Sequence, residues 1–252
     1  MSRHGDSILR EMGFSPLWKL RGRENEQPNK EPLSPASAQH SDTKLIEAPQ
    51  PPPTRTEQTA STVGTMDWET LEREIRECRR CVLCQARKQA VPGVGDRNAN
   101  WMFIGEGPGR DEDAQGEPFV GQAGKLLDNM LAAIGLKRGN NVYIANAVKC
   151  RPPHNRTPVT EEIAACLPFL ERQIELVKPR LLIALGRPAA QSLLDMEVRI
   201  GAARGRLFNY TDIPVIVTYH PAYLLRNLPD KAKAWEDLCF ALKTMEGFEG
   251  TG

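Results

Sequence analysis

The sequence predicts an α/β fold: a parallel sheet with helices covering both faces. Three observations carry that expectation. Short apolar runs recur along residues 66–252, stretches of helical period separate them, and each run ends at glycine or polar residues, as strands do when their carboxyl ends open into a crevice.

The elements follow in order. Asp67 can cap a helix through about Arg76, with Trp68, Leu71 and Ile75 on one face. Trp101-Met-Phe-Ile104 is a buried strand stopped by Gly105. Leu126, Leu127, Met130, Leu131 and Ile134 repeat at helical spacing, and Gly135 sits where a left-handed cap belongs. Val142-Tyr-Ile-Ala145 is the second strand. Ile163, Leu167, Leu170, Ile174 and Val177 then mark an amphipathic helix. Leu181–Leu185 and Val215–Thr218 complete four strands, and a last helix carries Ala234, Leu238, Leu242 and Met245.

The 252 residues, 40% hydrophobic, suffice for one sizeable domain with appendages. We divide them into a short apolar peptide at 1–23, a proline-rich tether at 24–65 and the α/β domain at 66–252. The tether contains seven prolines and no aromatic residue, too little apolar surface to offset its ordering entropy, so it is expected to be a disordered N-terminal extension. Ahead of it, Ile8 to Leu20 concentrates apolar side chains, including Phe14 and Trp18, as a partner-binding hook would. Lys+Arg against Asp+Glu is 8 to 8 in residues 1–65 and 25 to 24 in 66–252, so affinity for a polyanion must come from local patches. No run of about 18 apolar residues occurs and Met1–Arg10 lacks a secretory core, giving an expectation of a cytoplasmic protein with no membrane association.

In a reducing compartment six cysteines are not expected to form a disulfide framework, which favours metal ligation for those with ligand spacing and leaves Cys239, inside the last helix, as core. Cys78 and Cys81 form a C-x2-C pair, with Cys150 and Cys166 as a distant second pair. Zinc and a [4Fe–4S] cluster both accept four thiolates, and Cys81-x2-Cys84 is an equally good local pair.

Four further motifs each follow a strand. Gly105-Glu106-Gly107-Pro108-Gly109 allows close backbone approach to a ligand, and Glu106, Asp111, Glu112, Asp113 and Glu117 beside it offer a water-activating carboxylate. Phe119 lies in the next turn, where a flat ring could stack on a base. Asn146 presents donor and acceptor together, as a pyrimidine edge requires. Lys149, Arg151 and Arg156 form one basic loop and Arg199, Arg204 and Arg206 another, both suited to phosphate. His220 can donate to developing negative charge, and Leu224 or Leu225 can wedge into a base stack.

Read together, Gly-Glu-Gly-Pro-Gly-Arg-Asp-Glu-Asp (105–113), Gly-Glu-Pro-Phe-Val-Gly-Gln-Ala-Gly (116–124), Asn-Ala-Val-Lys-Cys-Arg-Pro-Pro-His-Asn-Arg (146–156) and His-Pro-Ala-Tyr-Leu-Leu-Arg-Asn (220–227) resemble the family 4, iron–sulfur uracil-DNA glycosylases over about residues 75–245. The resemblance implies a three-layer αβα sandwich around a four-stranded parallel sheet. It implies a [4Fe–4S] cluster on Cys78, Cys81, Cys150 and Cys166, leaving Cys84 outside the set. It implies that Gly107, Phe119 and Asn146 bind uracil, that His220 stabilises the departing base, and that Glu106, then Glu112, orients water. Leu224, Leu225, Arg226, Lys149 and Arg151 would contact DNA. Related family 1 enzymes carry a water-activating aspartate where Gly107 stands, so the resemblance implies that water is activated weakly here, through neighbouring carboxylates or backbone groups.

The expected activity is hydrolysis of the N-glycosidic bond of uracil in DNA by a monomer, in base excision repair. A non-catalytic DNA-binding module with a structural iron–sulfur or zinc site is the alternative. The N-terminal peptide also resembles the clamp-loader-binding peptide of the bacterial polymerase psi subunit, implying a partner in the replication machinery.

Overall fold

A computed structural model describes residues 63–249. The expected N-terminal peptide and tether therefore fall outside the described residues, apart from the last few positions of the tether.

The chain order is α1 (Trp68–Glu77), β1 (Val94–Gly95), β2 (Trp101–Gly105), α2 (Arg110–Gln115), α3 (Gln122–Ala133), β3 (Val142–Asn146) and α4 (Thr160–Val177). It continues through β4 (Leu181–Leu185), α5 (Arg187–Leu194), α6 (Ile200–Ala203), β5 (Leu207–Tyr210), β6 (Ile213–Thr218), α7 (Pro221–Leu224) and α8 (Asp230–Glu249). Asp67 does cap α1, its carboxylate accepting the Thr70 amide at 2.9 Å. Gly135 takes the expected left-handed conformation after α3, with φ +75°.

The sheet has six strands in the order β1-β3-β2-β4-β6-β5. This corrects the expected count of four. The four anticipated strands are the parallel centre, and an antiparallel strand closes each edge. Both additions escape a pattern search for physical reasons. β1 is two residues long, and β5 alternates exposed and half-buried positions in place of an apolar run.

β2, β3 and β4 are buried at every position, and alternate side chains feed two cores. Met102, Ile104, Ala145, Leu182, Val215 and Val217 pack with α4 and α5 on one face. Phe103, Ile144, Ile183 and Ile216 pack with Leu127 and Leu131 of α3 and Leu238 and Met245 of α8 on the other. The result is the three-layer αβα arrangement. Each fully buried side chain of this size contributes roughly 1.5–3 kcal/mol. A third cluster, of Leu71, Ile75, Leu83, Val148, Cys150, Cys166 and Phe169, joins α1 to α4 beside the sheet.

Register positions the site. Gly105 pairs with Asn146, and Leu185 with Thr218, so the parallel strands end together and their loops emerge along one edge. Among the described residues no helix is long and apolar enough to cross a membrane.

Candidate active site

The loops after β2, β3 and β6 enclose a cleft of about 420 Å³, lined by Glu106, Gly107, Phe119, Asn146, Thr157, His220 and Arg226 among others. The β2 and β3 loops stay paired past the sheet, with Ala147 N–H donating to the Gly105 carbonyl at 2.8 Å and Val148 N–H to that of Glu106 at 3.1 Å. This continuation fixes the cleft floor.

Asn146 is buried there, and neither its Oδ1 nor its Nδ2 has a hydrogen-bond partner among the described residues. An orphaned amide inside a protein costs roughly 1–3 kcal/mol, a cost recovered when a ligand supplies complementary groups. Phe119 stands against it. A β-carbon on Gly105 would overlap Asn146 Oδ1 and meet Phe119 Cζ at 2.6 Å, so only glycine lets ring and amide share this corner. Gly107 has the same character, since a β-carbon there would lie 2.7 Å from Val148 Cγ2. The Phe119 and His220 ring centroids are 5.5 Å apart at 30°.

His220 precedes α7, and its Nδ1 accepts the Ala222 amide at 3.1 Å. That bond assigns the proton of the neutral ring to Nε2. Burial, then the Arg226 charge, push the imidazole pKa down to about 4, with Glu112 opposing, so the ring is a neutral donor near pH 7. Burial raises the Glu106 carboxyl above its ordinary range, while Thr157 and Arg187 pull it back.

Three expected site residues are placed differently. Glu112 accepts the Gly109 amide at 3.0 Å on one oxygen and those of Val120 and Gly121 at 3.0 and 3.1 Å on the other. Its carboxylate organises the loop, a poor arrangement for a base that must take a proton. Lys149 is not a phosphate contact. It is 1% exposed, and its ammonium donates to the Asn146 carbonyl at 2.8 Å and to Gln173 Oε1. Burial lowers its pKa to about 8, opposed by Cys166 and Cys150.

Leu224 is 1% exposed because α7 turns it inward against α3, so it cannot enter a base stack. Leu225, 41% exposed, and Leu228, 62% exposed, project outward. Arg151 is half-buried and does not line the cleft, its Nε donating to Asn155 Oδ1, whereas Arg226 is exposed on the cleft wall. Of the second basic loop, Arg204 is held by Asp237 and Glu236.

Sequence reasoning passed over Thr157 and Tyr223, which also line the cleft. Tyr223 stacks on Tyr219 with centroids 5.1 Å apart, and a tyrosine pair at i, i+4 was the available signal.

Cys78, Cys81, Cys84, Cys150 and Cys166 line one cavity between α1 and α4. Arg87 Nη1 donates to Cys150 Sγ at 2.8 Å, and the Lys149 amide to Cys166 Sγ at 3.2 Å. Burial pushes the free thiols up, to about 11 for Cys150 and about 12 for Cys166, so as thiolates they need strong compensating charge. Among the described residues no three Cys, His, Asp or Glu side chains are grouped closely enough for a single metal ion. Thiols gathered in one cavity are the donor type that an iron–sulfur cluster takes.

The strand-end loops of the αβα sheet thus gather an unpaired amide, an aromatic ring and a neutral imidazole in one cleft. Residues 92–239 match the family described as the Uracil DNA glycosylase superfamily. The chain is 48% identical over 161 residues to the type-4 uracil-DNA glycosylase of Archaeoglobus fulgidus, spanning 61% of this chain and 80% of that one. It is 42% identical over 181 residues to that of Pyrobaculum aerophilum, spanning 69% and 92%. For the Thermotoga maritima protein of the same name the identity is 45%, over 63% and 83%. The chain belongs to the type-4 uracil-DNA glycosylases.

Proposed function

We propose that this protein is a monofunctional uracil-DNA glycosylase that hydrolyses the N-glycosidic bond of uracil in DNA and leaves an abasic site for base excision repair. Family membership supports the activity, and the buried, unpaired Asn146 amide carries the assignment of the pocket. Uracil must leave the duplex to reach that amide, and a mismatched base is the cheapest to unstack. Leu225, exposed beside the cleft, is the residue we assign to the vacated stack, with Arg226 and Arg151 on flanking phosphates.

Inside the cleft, Phe119 covers one face of the ring. Asn146 accepts from N3–H and donates to O4. Cytosine offers the reverse pattern, so its rejection requires the amide to be held with Oδ1 towards N3–H when the base enters. Cleavage sends the N1–C1′ electron pair onto uracil, where negative charge spreads to O2. His220 Nε2–H donates to that oxygen, and one such preorganised donor contributes on the order of 10²–10³ in rate. A water attacks C1′ from the opposite side and passes its proton to Glu106, the lining carboxylate whose raised pKa suits a proton acceptor.

Cys78, Cys81, Cys150 and Cys166 are the residues we assign to a [4Fe–4S] cluster. Cys84 shares the cavity but stands outside the family's ligand pattern. When bound, the cluster supplies charge and rigidity between α1, α4 and the loop after β3, with no part in the glycosidic step. A monomer is the proposed working unit, since the residues assigned above all come from one chain. Residues 1–23 serve as a partner hook on the 24–65 tether, with a replication protein as the proposed partner, and the cytoplasm is the proposed location.

The deciding assay measures free uracil released from a labelled oligonucleotide beside an identical thymine-containing strand. Release from the uracil strand alone is expected. Equal release from both, or from neither, would remove the assignment.

A further inference from the structure

Phe119 adopts φ +55°, a left-handed conformation that a β-carbon disfavours. A side chain outside the cleft holds it there. Arg138, in the turn between α3 and β3, donates from Nη1 to the Pro118 carbonyl and from Nη2 to the Phe119 carbonyl, each at 2.8 Å. Its Nε donates to Asp128 Oδ1 on α3 at 3.0 Å. The turn itself is bent by Gly135 and Gly139, at φ +75° and +78°. From below, the backbone of residue 119 rests on Gly124, where any β-carbon would overlap the Phe119 carbonyl.

A planar guanidinium fork spans two successive carbonyls, whereas an ammonium offers a point charge without that geometry. Arg138 is absent from the lining of the cleft, so any effect it has on a bound base passes through the Pro118–Phe119 segment it holds. We propose that Arg138 is a positioning residue for uracil recognition, fixing the peptide that aims the Phe119 ring at Gly105, Asn146 and His220. The inference rests on the reading of Phe119 as the base platform. The competing role is a stitch that ties the turn to the domain and affects stability alone.

The test uses the full chain as wild type, Arg138→Ala, Arg138→Lys, Phe119→Ala and the double variant Arg138→Ala/Phe119→Ala. Each is read by inhibition with free uracil, by binding to DNA carrying an abasic site, and by thermal midpoint. Arg138→Ala is expected to weaken uracil inhibition roughly tenfold, the scale of losing a base–aromatic stack, with abasic-DNA affinity kept within about twofold. Arg138→Lys falls between Arg138→Ala and wild type. The double variant is no weaker than Phe119→Ala, because the platform is already gone.

Wild-type uracil inhibition in Arg138→Ala while Phe119→Ala loses it overturns the inference, as do additive losses in the double variant. Should Arg138→Ala not fold, Arg138→Lys answers the same question, and wild-type inhibition there overturns the inference equally. Undiminished inhibition in Phe119→Ala sinks the platform assignment itself, a separate outcome.

Discussion

The two walls of the cleft are built in opposite ways. The wall from the ends of β2 and β3 is tied at many points: Glu112 accepts three backbone amides, Arg138 holds two carbonyls, and buried Lys149 holds the Asn146 carbonyl. The wall after β6 hangs on a four-residue helix, with His220 fixed by one amide and with Leu225 and Leu228 left in solvent. On the proposed function the difference separates two tasks. Reading a base by its hydrogen-bonding edge demands groups that do not move when the base arrives, whereas entering a duplex demands apolar surface that projects.

Breaking the tied wall should have the largest effect. Asn146→Ala removes the amide proposed to read the uracil edge, and uracil excision should fall on the order of 10³-fold, while affinity for undamaged DNA is unchanged. Single-turnover excision and equilibrium binding measured on one preparation would decide it. Parallel losses would show that Asn146 supports the fold and not the reading.

The projecting wall separates two adjacent leucines. Leu224→Ala deletes a buried side chain and should cost about 2–5 kcal/mol of unfolding free energy, read by denaturant titration. Leu225→Ala should leave stability within about 0.5 kcal/mol and lower excision from double-stranded substrate more than from single-stranded. If the two variants behaved alike, the distinction between inward and outward leucine would be void.

The smallest effect concerns pH. Arg226 helps hold the His220 pKa down near 4, so Arg226→Ala should raise it, though only modestly because burial is the larger cause. NMR titration of the imidazole would show the change, and the acid limb of the excision profile would move to higher pH with it. The sign for folding follows from the depressed value. Stability due to neutral His220 is full above the ordinary 6.5 and is lost as pH falls towards 4. A folded-state titration at or above 6.5 would contradict the neutral-donor role.

Much of this was legible in the sequence. Four apolar runs gave the parallel centre because strands buried on both faces need no alternation, and the polar residues after them fell where open α/β sheets place ligands. Lys149 and Leu224 were misassigned for a common reason. Residue type tells that a side chain is basic or apolar, but one step along a turn decides whether it faces the DNA side or the core. Arg138 was invisible because its partners are 19 and 20 residues away and no local pattern marks a guanidinium that serves another loop's carbonyls. Gly105 was legible as a glycine near a ligand, yet its closeness to both Phe119 and Asn146 exists only in three dimensions.

That glycine also sets the terms on which the enzyme could be retooled. With no spare room for even a methyl group between the strand and the aromatic ring, altered base preference cannot be engineered by trimming or padding the sheet side. Directed libraries would find their usable variation at the exposed positions downstream of β6, such as Leu225 and Leu228, where side chains can change size without colliding with the scaffold.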